Sequence, residues 1–324
     1  MKIIGLDIGY SNLKLAIGEV GQTPTEFLLP SGAASEDRLP HGIRLGEEGI
    51  RVQLDSECWR IGLPHGRFDQ ASRSLHQNYT DSSAYKALFY GALLMAGHDH
   101  VDKIVTGLPV SIWQDATIRS QLAEQLIGVH QVLTSRRVVV DSVDVIPQPL
   151  GAYLDRLWNA VSDTQVLSEG RVLIVDPGYF SVDWVVIEQG ALRQSGSGSS
   201  LDAMSLLIRE AAEEIYLDRQ GKVSSETLED ALRNGKGEIF LFGETISLDP
   251  YLKKASSRVA DQAMDQLQES IRRETGSIDV VILAGGGAAH YKASVRDRFR
   301  KSKVMMADCP ERANARGFFY FGEM

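Results

Sequence analysis

Two cysteines are all that this 324-residue chain contains, Cys58 and Cys309, and they stand far apart in sequence. With no CxxC pair, neither a zinc ribbon nor a dithiol redox couple is indicated. Both read as buried small apolar residues, free thiols that fit the cytosol, where disulfides are rare. Positive charge is also in short supply: 34 Lys and Arg against 43 Asp and Glu leave a formal net charge of -9. Non-specific DNA binding draws on counterion release by cationic side chains, so direct nucleic-acid binding is not expected. Long apolar runs are missing too. No window reaches the ~18 residues of a membrane-spanning helix, and the opening run Met1-Lys2-Ile3-Ile4-Gly5-Leu6 meets Asp7 too soon for a secretory signal. A cytoplasmic protein without membrane association is expected. Two nucleotide motifs are absent as well. There is no GxxxxGKS or GxxxxGKT phosphate loop, and Gly196-Ser197-Gly198 lacks the third glycine of a dinucleotide fingerprint, reading instead as a loop before a helix. His98-Asp99-His100 has HxH spacing but no supporting ligand framework, and reads as a loop after a helix.

Hydrophobic residues make up 43% of the chain and charged residues 24%, the balance of a globular protein with a sizeable core. The length fits two domains of roughly 150 residues. Residues 2–8 and 13–18 are apolar runs on either side of the turn composition Gly9-Tyr10-Ser11-Asn12 and read as a β-hairpin, with 25–30 as a third strand. Residues 31–80, richer in Gly, Ser, Asp and His, read as a small, less regular subdomain. Helical periodicity returns at 82–97, capped by Ser82 or Asp81. A strand at 103–107, a helix at 113–127 and a strand at 136–146 follow, and a helix begins near Pro149, where proline suits a first turn. The second half opens again on a strand (171–176), a turn (Pro177-Gly178-Tyr179-Phe180) and a return strand (181–188). Helices are expected at 201–216 and 224–233, a hairpin at 237–248 and a long amphipathic helix over 250–274. A buried strand at 278–284, a helix from 288, a strand at 303–306 and a closing helix from 310 complete the chain. Strands and helices alternate throughout, so the class is α/β.

The strongest feature is an internal repeat. Residues 3–18 (IIGLDIGYSNLKLAIG) lie over 172–187 (VLIVDPGYFSVDWVVI) without a gap, at an offset of 169. Asp7 falls on Asp176, Gly9 on Gly178 and Tyr10 on Tyr179. Each copy is strand, Asp-x-Gly-Tyr turn, strand. A tight glycine turn offers backbone N–H groups to an anion. An aspartate beside it supplies oxygen for Mg²⁺ and its waters. One Asp-x-Gly is a common hairpin signal; two in register, half a protein apart, point to a duplicated fold with a polyphosphate gripped from both sides of a cleft.

These residues resemble the nucleotide-binding pattern of the actin, sugar-kinase and heat-shock-chaperone superfamily. Five segments occur in the expected order. They are the first phosphate loop, Asp7-Ile8-Gly9-Tyr10-Ser11-Asn12-Leu13-Lys14, and a connecting segment, Pro147-Gln148-Pro149-Leu150-Gly151-Ala152. The second phosphate loop, Asp176-Pro177-Gly178-Tyr179-Phe180-Ser181-Val182-Asp183, follows. An adenosine segment, Leu283-Ala284-Gly285-Gly286-Gly287-Ala288, and a second connecting segment, Ala313-Asn314-Ala315-Arg316-Gly317-Phe318, complete the set. The DIGYSNLK opening, the Asn-Ala-Arg-Gly ending and the short length are most similar to the ParM/StbA plasmid-segregating actin-like proteins. The resemblance implies a duplicated actin-like (ribonuclease H-like) fold with two domains around a nucleotide cleft. Domain I would be 1–147, with 310–324 returning to it and 31–80 as its small subdomain. Domain II would be 148–309, with 217–250 as its small subdomain.

The same resemblance implies an ATP (or GTP) hydrolase that polymerises with itself into dynamic filaments, joined to plasmid DNA by a DNA-binding adaptor protein. Asp7 and Asp176 would hold Mg²⁺ through water. Gly9, Tyr10, Ser11, Asn12 and Lys14 would face the phosphates from domain I, and Gly178, Tyr179 and Ser181 from domain II. Lys14 has the competing reading of a solvent-facing strand lysine. Gln148 would orient the attacking water; otherwise it caps the following helix. Gly285, Gly286 and Gly287 would lie against adenine and ribose. Arg209 and Glu210 would stand near the nucleotide, or simply on a solvated helix face. Three departures bear on hydrolysis: Pro177 stiffens the second loop, Tyr179-Phe180 replaces glycine and threonine, and Gln148 stands where many relatives have glutamate. Two rival readings share the fold, a non-polymerising ATP-dependent switch or scaffold and a small-molecule kinase, the latter lacking a spare catalytic base.

Overall fold

The computed structural model describes residues 1–39, 49–65, 79–272, 274 and 276–324. The first strand, β1 (Lys2–Ile8), is buried along nearly its whole length, as an apolar strand covered on both faces must be. The Gly9 turn folds it back on β2 (Asn12–Glu19), and β3 (Thr25–Pro30) continues the antiparallel meander. A second sheet of three short strands follows: β4 (Gly32–Ser35), β5 (Ile50–Leu54) and β6 (Glu57–Leu63), in the order β4-β6-β5. Regular pairing within 31–80 therefore exceeds the irregular segment expected there, while 40–48 and 66–78 lie outside the described residues. The alternation of buried Ile61 and Leu63 with the more exposed Arg60 and Gly62 is the period of a half-buried strand.

The helix α1 (Ser83–Ala96) starts where Ser82 Oγ accepts the Tyr85 N–H at 3.1 Å and ends at Gly97 in the left-handed region. It is followed by β7 (His100–Leu108), α2 (Val110–Trp113), α3 (Ala116–Leu126), β8 (Gly128–Leu133) and β9 (Arg136–Pro147). His98 and Asp99 precede β7, which His100 opens. The helix α4 (Gln148–Trp158) has Pro149 in its first turn. These strands form a six-stranded sheet, β3-β2-β1-β7-β9-β8, in which β7 runs parallel to both β1 and β9.

The second half begins with α5 (Thr164–Glu169), β10 (Arg171–Pro177), β11 (Val182–Glu188) and β12 (Ala191–Ser200). After them come α6 (Met204–Arg219), α7 (Ser225–Arg233), the hairpin β13 (Glu238–Leu241) and β14 (Glu244–Ser247), and α8 (Asp249–Ile271). Then follow β15 (Val280–Leu283), α9 (Ala288–Arg298), β16 (Lys303–Met306) and α10 (Ala313–Glu323). The five-stranded sheet is β12-β11-β10-β15-β16, with β15 parallel to β10 and β16. The order repeats the first sheet: a three-stranded antiparallel meander, then two strands parallel to its first. The duplication seen in the hairpins thus extends to whole sheets.

The chain divides into two units, Met1–Val161 with Asp308–Met324, and Ser162–Ala307. The sequence reading began domain II at residue 148. In the structure α4 belongs to the first unit, because it packs against α10 through small residues. A Cβ on Gly317 would strike the Gly151 backbone, and one on Gly151 would lie 2.5 Å from the Asn314 carbonyl oxygen. Each unit has its own core, centred on Leu6, Leu13, Leu88 and Ile104 in the first and on Leu173, Trp184, Met264 and Tyr291 in the second. Each fully buried aliphatic side chain contributes roughly 1.5–3 kcal/mol.

Two local expectations are corrected. Gly196-Ser197-Gly198 is not a loop but lies within β12. Gly198 leaves room for the Trp184 indole on the neighbouring strand: a Cβ there would sit 2.8 Å from Trp184 Cζ2. The cysteines are not buried. Cys58 is half-buried on β6, where its sulfur meets Arg51 Nη2 at 3.0 Å, and Cys309 is exposed in a turn at φ 45°. Both thiols are free. Among the described residues no helix is long and apolar enough to cross a membrane.

Candidate functional site

In the first unit, antiparallel register sets Asp7 opposite Lys14 at the turn end of the β1–β2 hairpin. The turn closes with the Gly9 N–H donating to the Asn12 carbonyl at 3.0 Å. Asp7 is 1% exposed, and both of its oxygens are engaged. Lys14 Nζ donates to Oδ2 at 3.0 Å, and Gln148 Nε2 donates to Oδ1 at 3.0 Å. Lys14 is therefore turned inward, not to solvent. Gln148 is the first residue of α4, with Pro147 at the N-cap position, and its side chain reaches Asp7. A carboxylate only accepts, so the amide nitrogen must face Asp7 and Oε1 is left as an acceptor. The side chain is oriented by packing, since a Cβ on Gly107 would fall 2.9 Å from Gln148 Cγ.

Three neighbours complete this loop without having been singled out from the sequence. Tyr79 stacks on Tyr10, ring centroids 4.6 Å apart, and meets Tyr85 edge-on at 5.6 Å. Thr106 Oγ1 donates to the Leu6 carbonyl at 2.8 Å, tying β7 to the strand that carries Asp7. Burial pushes the Tyr85 hydroxyl well above the usual phenol range; a hydrogen bond with Thr106 opposes this and the charge of Asp7 adds to it. Tyr85 stays protonated beneath the site. All three approach through tertiary contacts at large sequence separation, for which local pattern carries no signal. Ser11 anchors the turn from its other side, its carbonyl accepting the Ser31 N–H at 2.9 Å.

The second unit repeats the turn at the same offset, the Gly178 N–H donating to the Ser181 carbonyl at 2.8 Å. Its loop is also held by α6: Met204 N–H donates to the Gly178 carbonyl at 3.2 Å and Ser205 N–H to the Tyr179 carbonyl at 2.8 Å. Here the register sets Asp176 opposite Asp183. Both are buried. Ser181 Oγ donates to Asp183 Oδ2 at 2.5 Å and Ser199 Oγ donates to Oδ1. Asp183 is the second-unit equivalent of Lys14, and the repeat itself carried that signal. One hairpin thus pairs an acid with a base, and the other sets two acids on one face.

The glycine triplet follows β15. Gly285 adopts φ +76°, and a Cβ there would collide with Asp176 Oδ1. Only glycine permits both the left-handed backbone and the closeness. Gly287 N–H donates to the Pro177 carbonyl at 2.9 Å, fastening the triplet to the second loop. Gly286 is exposed, with open space where a side chain would be. Asp176, Gly178, Tyr179, Ser181 and the triplet are therefore one neighbourhood. Arg209 and Glu210 are not joined to it by any described hydrogen bond. Arg209 is exposed on α6, and Glu210 pairs with Arg258 of α8 at 2.9 Å.

Each unit by itself sets a buried acid beside a glycine turn, a donor set that suits Mg²⁺ and phosphate oxygens. Buried Asp7 already holds a cationic ammonium on one oxygen, and Asp176 stands beside a second acid; hard oxygen ligands of this kind suit Mg²⁺. A Cβ on Gly9 would lie 3.0 Å from Lys14 Nζ, so the turn and that ammonium are immediate neighbours.

Residues 5–151 match the family model for the N-terminal domain of actin-like proteins, and residues 174–297 match that for the C-terminal domain of archaeal MreB-like actin homologues. Among solved structures, the archaeal actin homologue Ta0583 in complex with ADP superimposes with TM-score 0.76 at 16% identity, over 100% of this chain and 99% of that one. A non-polymerisable quadruple mutant of pCBH ParM gives 0.76 at 20% identity, over 99% of both chains. A 15-stranded ParM filament from Clostridium botulinum gives 0.72 at 19%, again over 99% of both. No match is found among curated protein sequences.

Proposed function

This chain is an actin-like protein, and from that premise we propose that it binds Mg²⁺-ATP (or GTP), assembles into dynamic filaments and hydrolyses the nucleotide, in the manner of plasmid-segregating ParM proteins. The observation that carries the reading is the Asp7–Lys14–Gln148 constellation, in which a buried acid holds a base at 3.0 Å and a glutamine amide at 3.0 Å. Support for nucleotide comes from the ADP complex of an archaeal actin homologue with this fold. Support for assembly comes from a filament built of a protein with this fold.

Phosphoryl transfer to water asks the protein mainly for positioning and charge stabilisation. Tyr10, Ser11 and Asn12 in one loop, and Tyr179 and the Ser181 backbone in the other, would face the phosphates, while Gly9 and Gly178, whose own N–H groups close the turns, let the backbone approach closely. Lys14 adds a point charge. Asp7 and Asp176 would hold Mg²⁺, which would supply charge neutralisation for the phosphate oxygens. Asp7 would fix the Gln148 amide so that Oε1 accepts a hydrogen bond from the attacking water and keeps its lone pair aimed. Gly285, Gly286 and Gly287 receive adenosine. Arg209 and Glu210 would act from α6. A DNA-binding adaptor would join the filament to its cargo.

The test is nucleotide affinity measured beside single-turnover phosphate release. Gln148→Ala should keep affinity within about threefold and slow release by roughly 10²-fold, the scale of one positioned group. Asp7→Ala should abolish the Mg²⁺ dependence of binding. If Gln148→Ala releases phosphate at the wild-type rate, the assigned role fails. Transfer of phosphate to a sugar or acetate would replace hydrolysis with a kinase activity.

A further inference from the structure

The β13–β14 hairpin carries two large aromatic side chains that the second unit does not bury. Its inward face, Ile239 opposite Ile246, packs into the core. Its outward face presents Phe240, 74% exposed opposite Thr245, and the tip presents Phe242, also 74% exposed. The connection is a two-residue loop in which Phe242 has φ 52° and Gly243 φ 84°. Such turns favour Asn-Gly, because both residues must adopt the left-handed region. A bulky aromatic there is disfavoured by its own backbone. Its ring lies against Gly221, with exposed Leu217 one turn ahead on α6. The result is an apolar projection where folding alone favours a small polar residue.

Charge indicates what this projection meets. Residues 238–247 include exposed Glu238 and Glu244 and no cation. In the first unit, β8 at the edge of the six-stranded sheet exposes Val129, with Ile127 just before it. Beside them Arg137 is exposed, bonded to Gln131 and joined to no ion pair among the described residues. One surface is aromatic and acidic, the other aliphatic with one exposed cation, Arg137. We propose that the β13–β14 tip of one copy docks on the β8 edge of a second copy. Contact between two different patches is heterologous, and a heterologous contact that does not close into a ring generates an open filament. The inference rests on the self-assembly reading and identifies its contact.

The experiment compares the protein concentration at which nucleotide-loaded wild type begins to assemble with that of Phe240→Ser and Phe242→Asn, by sedimentation. Both variants should raise the threshold at least about tenfold, as loss of a central aromatic contact does. Nucleotide affinity should not change, and the melting temperature should hold within about 2 °C because the rings are exposed. Phe242→Asn suits the turn better than the native residue, so weaker assembly in a monomer as stable as wild type separates a contact from a folding role. Glu244→Arg and Arg137→Glu should each raise the threshold, and the two combined should lower it again. Unchanged thresholds in both Phe variants, or charge reversals that merely add, overturn the docking while assembly stands. Wild type that stays monomeric with every nucleotide overturns the assembly reading, and the docking with it.

Discussion

Arg316 meets four acceptors: Asp155 Oδ1 at 2.9 Å and Oδ2 at 2.7 Å, Glu26 Oε2 at 3.2 Å, and the Asp308 carbonyl. Burial opposes its charge, but the hydrogen bonds and charge of Asp155, with Glu26, outweigh that and hold the guanidinium protonated. Arg316→Met would strand Asp155 in the interior, at a cost of about 3–5 kcal/mol. Urea unfolding should show that loss, and Asp155→Leu combined with Arg316→Met should recover most of it; a loss under about 1 kcal/mol would contradict the assignment. His130 gives a pH signature. Its Nε2 lies 2.9 Å from the Leu126 carbonyl, which can only accept, so Nε2 bears the proton. Burial against Phe89 and Tyr90 pushes the imidazole below its ordinary 6.5. Below about pH 6.5 the unfolded chain takes up a proton that the folded chain refuses. Stability therefore falls as pH drops from there toward the folded value. His130→Phe should flatten that segment of a stability–pH curve, and an unchanged slope would assign it elsewhere.

Helix α10 approaches β1 and α4 so closely that glycine is required on both sides. A Cβ on Gly5 would strike the Ala315 carbonyl, and one on Gly317 the Gly151 backbone. Gly317→Ala should cost about 1–3 kcal/mol by overpacking, read as a lowered unfolding midpoint; tolerance would mean that the helix can shift. The two connecting segments read as motifs from the sequence prove to be this one packing contact. Elements with strong periodicity were legible: β1 and β2, α1, β10 and β11, and the run from α8 to α9. Strand β12 was not, because Gly196-Ser197-Gly198 has a loop's composition, and the need to seat Trp184 is visible only once β11 lies beside it. Residues 25–30 fall on 194–199 at the same offset, a correspondence the sequence reading did not use when it took 196–198 as a loop. Asp7, Gln148 and the glycine triplet were legible because motif spacing survives in one dimension. Tyr79, Tyr85 and Thr106 reach the same loop through pairings that spacing does not encode.

Two sheets that share a five-strand order, to which the first adds the edge strand β8, each begin with an Asp-x-Gly hairpin and make the molecule a duplication in structure as well as in sequence. The copies differ in charge at the position opposite each acid: Lys14 faces Asp7 in one, Asp183 faces Asp176 in the other. Under the proposed reading, that division would give one loop a charge for phosphate and the other an acidic face for a hydrated cation. Lys14→Met should weaken triphosphate more than diphosphate binding, by about tenfold or more, because the charged partner is lost from a shielded site; equal losses would place Lys14 away from the terminal phosphate. The central claim is that nucleotide state governs assembly. Right-angle light scattering recorded together with phosphate release, over a series of protein concentrations with Mg²⁺ and ATP, GTP or a non-hydrolysable analogue, tests it most directly. The account predicts scattering that rises only above a threshold concentration, decays as phosphate appears, and persists with the analogue. Nucleotide binding with flat scattering at every concentration would contradict it.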